Sequence, residues 1–243
     1  MKDAIGYKAD YQIRTSEIDP AKLLKPSSMI QLMQDASMLN AIDLKVSLWD
    51  LEKNNLSWIL LKKHLSIVTT PALGETITIN TYPAGYNRLL AYRDYIVSNE
   101  QSEVIAMATS TWGLINLHSK KMIKIPAFPF YNHVPEQVLS SPAVRLHKLK
   151  SVDRSIEKHI SWNDLDWNSH VNNISTIRLL LDSAPRQESG YRNLTELSVQ
   201  FKHESFINDH LISECKIEGS NIHHQVRRQS DDKLIALGNS LWK

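Results

Sequence analysis

One pattern is written twice along this chain, and that duplication limits the possible folds more than any other feature. Set without gaps, Ile13–Ser37 against Ile160–Ala184 matches Ile13 with Ile160, Ile18 with Leu165, Asp19 with Asp166, Ile30 with Ile177, Leu32 with Leu179 and Asp35 with Asp182. Further on, Leu65, Ile67, Gly74, Glu75, Ile77 and Gly85 fall opposite Val199, Phe201, Asn208, Asp209, Leu211 and Gly219. The run VIAMATSTW ending at Trp112 faces LIALGNSLW ending at Trp242. The spacing between partners shrinks along the chain, as longer connections in the first half would produce. Similarity at this length scale means two copies of one supersecondary unit.

Each copy reads as a strand, a long helix and about four antiparallel strands. In the first, residues 7–19 alternate as a strand, and Pro26 and Ser27 start a helix running to about Ala41 with Ile30, Met33 and Ala36 on its apolar face. Strands are expected over 58–68, 75–83, 90–98 and 104–117, with turns at 71–74 and 99–103. One helix lays its apolar stripe on one face of such a sheet, and two copies joined edge to edge make a wide curved sheet holding both helices. The fold class is therefore α+β, a double hotdog: two tandem hotdog units with long helices packed on a continuous antiparallel sheet. The expected division is an N-terminal unit at 1–125, a linker at 126–153 carrying Pro126, Pro129, Pro135 and Pro142, and a C-terminal unit at 154–243.

Chemistry concentrates in the second copy. In Trp162-Asn-Asp-Leu-Asp-Trp-Asn-Ser-His-Val-Asn-Asn173, residues Asp166, Asn168 and His170 stand two apart. Extended backbone would turn all three to one face, with Leu165 and Trp167 on the other. The pattern then changes to Val171, Ile174, Ile177, Leu181 and Ala184, a helical stripe for which Asn168 or Ser169 is the expected N-cap and Pro185 the stop. Polar groups at a helix start lie beside unpaired N–H donors and the positive end of the dipole, a setting for an oxyanion. Opposite Asn168 and His170 the first copy has Ala21 and Leu23, and opposite Glu204 it has Thr70. One copy thus holds an acid, an amide, an imidazole and a second acid. The other is catalytically empty and free to shape an apolar pocket.

Composition removes other classes. With 42% hydrophobic and 22% charged residues over 243 positions, the chain is an ordinary globular sequence. A net charge of +2 makes no case for nucleic acid, and the single Cys215 fits a reducing, cytoplasmic setting without disulfides. No secretory leader is evident, and no run approaches the roughly 18 apolar residues of a membrane span. GxGxxG, GxxxxGK[ST] and GxSxG are absent. His223-His224 reads as a surface pair on a strand edge, so no metal and no cofactor are expected.

The string WNDLDWNSHVNN before a helix ending in SAP, with Glu204 on a following strand, resembles the acyl-acyl-carrier-protein (acyl-ACP) thioesterases of plants and bacteria. IRTSEIDP, LMQDAS, LSWILLKKHLSI, PALGE and STWGLINLHSKKMIKIP in the first half extend that likeness over nearly the whole chain. The resemblance implies a double hotdog that releases free fatty acid from its carrier protein, with Asp166, Asn168, His170 and Glu204 at the catalytic positions. Plant members often have cysteine after the glutamate. Ser205 stands there in this chain and argues against an obligatory thiol nucleophile.

Two routes fit these residues. Glu204, alone or through His170, activates water while Asp166 orients Asn168 and His170, or Asp166 attacks and forms a mixed anhydride. Oxyanion donors would come from the helix start, Asn168 or His170, each worth about 3–4 kcal/mol of barrier. The acyl chain is expected against the first helix and sheet, with Met29, Ile30, Met33, Trp58, Leu60 and Trp112 as candidate walls. An acidic acyl carrier protein is the expected transient partner of the fatty acyl thioester. It would be met by Lys120, Lys121 and Lys124, by Arg145, Lys148, Lys150 and Arg154, or by Arg227 and Arg228. Nucleic acid and membrane insertion are not expected, and a homodimer is compatible with the sequence. An acyl-CoA thioesterase and a non-catalytic acyl-binding hotdog protein are the alternatives.

Overall fold

The computed structural model describes residues 5–128, 130, 146–185 and 193–243. Much of the expected linker, including Pro129, Pro135, Pro142 and Arg145, lies outside the described residues. The chain forms two compact units, Met1–Ser141 and Pro142–Lys243.

The N-terminal unit contains β1 (Tyr7–Gln12), α1 (Pro26–Asp43), α2 (Leu48–Glu52), β2 (Leu56–Ile67), β3 (Thr76–Tyr86), β4 (Leu90–Ser98) and β5 (Val104–Asn116). Its strands pair antiparallel in the order β1-β3-β4-β5-β2. The strand expected over 7–19 ends at Gln12, because Arg14 and Glu17 close a single helical turn over Thr15–Glu17. Proline starts α1, whose buried face carries Met29, Ile30, Leu32, Met33 and Ala36. The unexpected α2 is set by a capping box between Ser47 and Asp50.

The C-terminal unit contains β6 (Arg154–His159), α3 (Asn173–Asp182), β7 (Leu194–Phe201), β8 (His210–Glu218), β9 (Asn221–Arg228) and β10 (Leu234–Trp242). Its strand order, β7-β10-β9-β8-β6, is that of the first unit with β2, β5, β4, β3 and β1 replaced by their counterparts. α3 lies close on its sheet: a Cβ added to Gly238 would come within 2.7 Å of Leu180 Cδ1, so a larger residue there would have to displace the Leu180 side chain. The helix begins at Asn173 and not after Asn168 or Ser169. Asn172 is the N-cap, accepting from Ile174 N–H at 2.8 Å.

His224 is not a surface residue. It is fully buried, with Nδ1 at 3.1 Å from Ser183 Oγ and Nε2 at 2.7 Å from Ser240 Oγ. Ser183 already donates to the Leu180 carbonyl and Ser240 accepts from the Trp242 indole. Cys215 is buried too, and its thiol donates to the Ser183 carbonyl. Among the described residues no helix is long and apolar enough to cross a membrane.

Candidate active site

The string from Ser161 to Asn172 folds as a tight loop. Ser161 and Asp164 form a capping box around one helical turn, and the buried Asp164 also pairs with Lys158. Burial opposes ionisation of Asp164. The Lys158 ammonium and the Ser161 donors outweigh it and hold the carboxyl below its ordinary value. The spacing Ser-x-x-Asp was the available sequence signal for this turn.

Asp166, Asn168 and His170 do not lie along extended backbone. Ser169 takes a left-handed conformation (φ 59°), and the chain turns back so that Asp166 N–H donates to the His170 carbonyl at 2.8 Å. The Asp166 side chain points into this turn. Its Oδ1 accepts from the backbone N–H groups of Asn168 (2.9 Å) and His170 (3.2 Å).

The counterpart loop has the same bonds. Asp19 Oδ1 accepts from Ala21 N–H (2.9 Å) and Leu23 N–H (3.0 Å), Asp19 N–H donates to the Leu23 carbonyl, and Lys22 is left-handed (φ 65°). Leu24 N–H donates to the Pro71 carbonyl at 2.9 Å where Val171 N–H donates to the Ser205 carbonyl at 2.8 Å. Lys25 N–H reaches the Glu17 carbonyl where Asn172 N–H reaches that of Asp164. The sequence correspondence is thus reproduced in these backbone hydrogen bonds, and it places Thr70 opposite Glu204.

On this shared frame the second loop adds three groups. Asn168 Nδ2 lies 3.3 Å from His170 Nδ1, and Glu204 Oε1 lies 3.5 Å from the same nitrogen. Both Asn168 and Glu204 meet the ring at Nδ1, so Nε2 is the ring nitrogen that neither of them engages. Phe206, absent from the sequence-based site, stands edge-on to His170 with ring centroids 5.0 Å apart and fixes the ring plane. Glu204 is 46% exposed while His170 is 16% exposed. The glutamate therefore faces solvent and the imidazole is sheltered.

Part of the helix start is already engaged. Val171, Asn172 and Ile174 N–H groups are all bonded within the protein. The side-chain groups placed to meet an oxyanion are the Asn168 amide and the His170 ring.

The six candidate wall residues divide into two groups. Trp58 and Trp112 pack with Leu51, Ala91, Leu114 and Ile125, and Leu60 is the cross-strand partner of Trp112. Met29, Ile30 and Met33 lie fully buried on α1. Of the basic residues, Arg227 pairs with Glu214 and Asp232, Arg228 with Asp209 and Asp231, and Lys148 with Asp232. Those charges are answered internally. Lys120, Lys121 and Lys124 are exposed after β5. Among the described residues no group of three or more His, Cys, Asp and Glu is placed to hold a metal.

Comparison with known proteins follows the same two units. The family models "Acyl-ACP thioesterase N-terminal domain" and "Acyl-ACP thioesterase C-terminal domain" match residues 5–127 and 147–243. The whole chain aligns at 26% identity with 64% of a chloroplastic acyl-[acyl-carrier-protein] hydrolase of Cuphea viscosissima. It aligns at 25% with 63% of a chloroplastic palmitoyl-acyl carrier protein thioesterase of Cuphea hookeriana. The chain thus spans just under two thirds of these relatives. In fold it matches an acyl-ACP thioesterase of Bacteroides thetaiotaomicron (TM-score 0.90, 18% identity, 98% of each chain). It matches equally the 12:0-ACP thioesterase of Umbellularia californica (TM-score 0.89, 19% identity, 99% of this chain and 98% of that one). The architecture is the double hotdog, and with both family domains present in order, the chain belongs to the acyl-ACP thioesterase family.

Proposed function

We propose that this protein hydrolyses the thioester of fatty acyl-carrier protein to free fatty acid, ending chain elongation in fatty acid biosynthesis. One observation carries the reading: of two superposable loop frames, only the second bears Asn168, His170 and Glu204, grouped within 3.5 Å of the His170 Nδ1. Its likeness to an acyl-[acyl-carrier-protein] hydrolase and to a palmitoyl-acyl carrier protein thioesterase supports it.

Thioester hydrolysis needs an activated nucleophile and donors for the tetrahedral oxyanion. Glu204 is solvent-facing and makes no hydrogen bond within the described residues, so it is the base that takes a proton from water. The hydroxide adds to the thioester carbonyl, whose oxygen accepts from the Asn168 amide and the His170 ring. Collapse breaks the carbon–sulfur bond, and the proton held by Glu204 goes to the leaving thiolate. Asp166 is a positioning residue. Its Oδ1 is occupied by two backbone donors, and Asp19 does the same work where no chemistry is expected. Neither step calls for a cofactor or metal.

The N-terminal unit supplies the apolar surface for the acyl chain. Lys120, Lys121 and Lys124 form the basic patch that meets an acidic carrier protein. A reducing, cytoplasmic setting fits the lone buried thiol.

Release of free acid from a panel of acyl-carrier substrates, with Glu204→Ala as control, tests the reading. Release that disappears in the variant is expected, and no release at any chain length overturns it. Single turnover in ¹⁸O-water puts the label directly into product on this route. Label found on Asp166 contradicts it.

A further inference from the structure

The helix-covered face of the N-terminal sheet is not uniformly apolar. A β-bulge between Leu60 and Lys62 shifts the alternation of β2, so that Lys63 rather than Lys62 turns inward. Lys63 is 5% exposed. Its cross-strand neighbour is Ser110, whose neighbour in turn is Arg93. The three form a row across β2, β5 and β4.

The row is tied to α1. Arg93 Nη1 donates to Asn40 Oδ1 at 2.7 Å and to Thr81 Oγ1 at 3.2 Å. Lys63 Nζ lies 4.2 Å from the centre of the Tyr95 ring, and the Tyr95 hydroxyl meets Ser37 and Ser110. Among the described residues Lys63 has no carboxylate within ion-pairing distance. Burial pushes its ammonium below the usual lysine range, with Arg93 adding to the effect and Tyr95 opposing it.

Apolar side chains lie on both sides of this row. Toward one end are Ile67, Ala106, Val97 and Ile79, a continuous cross-strand set. Asn40 and Ser37 stand at the polar row and α1 rises about 1.5 Å per residue, so Met33, Ile30 and Met29 lie toward that first end. Toward the other end are Trp112, Ala91, Leu114 and Trp58.

We infer that Lys63 divides the acyl-binding face of the N-terminal unit into two apolar compartments and sets the longest acyl chain the protein accepts. This rests on the reading of the protein as an acyl thioesterase. A methylene chain gains affinity as it covers apolar side chains, about fourfold per buried CH₂. Beyond one compartment its next carbons would meet an ammonium, a guanidinium and a hydroxyl whose existing partners they cannot replace, and the gain stops.

The test is binding of saturated free fatty acids of graded chain length to the full chain, measured by calorimetry. In the wild type, affinity should rise with length and then level off. In Lys63→Met, which keeps the bulk and removes the charge, the rise should continue for two further carbons, more than tenfold in affinity. Lys63→Arg should keep the wild-type break. If Lys63→Met does not fold, Lys63→Gln replaces it, with a smaller extension in the same sense. A break unmoved in the folded variant, or wild-type affinity without any break, overturns the inference. Hydrolysis of acyl-carrier substrates by the wild type is scored separately, so failure of the thioesterase reading is distinguished from failure of the length limit.

Discussion

The loop at 161–172 and its counterpart at 14–25 share a frame and differ in what the frame holds. Both use an inward carboxylate, Asp166 or Asp19, to gather two N–H groups, and both pin the following residue to a neighbouring segment through Ser205 or Pro71. Among the groups proposed for chemistry they part at Asn168 against Ala21, at His170 against Leu23 and, on the neighbouring segment, at Glu204 against Thr70. The lesson is a separation of tasks. What both loops keep is needed to build the turn, and what one alone carries is available for chemistry. Seen without its partner, Asp166 is one more acid in a catalytic string.

The comparison breaks most sharply at Glu204. Glu204→Gln removes the base from an exposed position without disturbing packing, and kcat/KM should fall by about 10³-fold with no change in melting temperature. A loss below tenfold would return water activation to another group. Next come Asn168→Ala and His170→Leu, which make the active loop resemble the empty one. Each should lower kcat by about 10²-fold while leaving KM nearly constant, as loss of an oxyanion donor does. A rise in KM at constant kcat would make them binding groups instead.

Much of this was legible in the sequence. The duplicated spacing gives two equal sets of strands, and the pattern at 166–170 singles out the residues that only one copy holds. The path of the loop was not legible. A period-two spacing looks extended, but Ser169 enters the left-handed region and folds the string into a turn, moving the helix start to Asn173. Nor was the burial of Lys63, since the run WILLKKHLSIV offers two adjacent lysines and only the bulge decides which turns inward. His224 escaped for a similar reason: its partners Ser183 and Ser240 come from a helix end and another strand.

Smaller effects refine the frame. The carboxyl of Asp164 lies below its ordinary value in the folded chain, so its pairing stabilises fully above the unfolded value near 3.8 and is lost as pH falls through the lower folded one. Acid unfolding followed by circular dichroism should show Asp164→Asn converging with the wild type in that acidic window and less stable above it. Equal stability of the two at neutral pH would remove Asp164 from the frame. At the low end, replacing Lys120, Lys121 and Lys124 with alanine should raise KM for carrier-linked substrate several-fold at low salt, with the difference shrinking as salt is added. An unchanged KM would move carrier docking elsewhere.

The central claim, that the carboxylate common to both loops builds and the groups unique to one loop react, is tested most directly by the rate of Asp166→Asn on carrier-linked substrate. An asparagine oxygen can still accept from the N–H groups of Asn168 and His170, so the account predicts kcat within about tenfold of the wild type. A loss of the size caused by Glu204→Gln, with the fold intact, would contradict it and make Asp166 a reacting group.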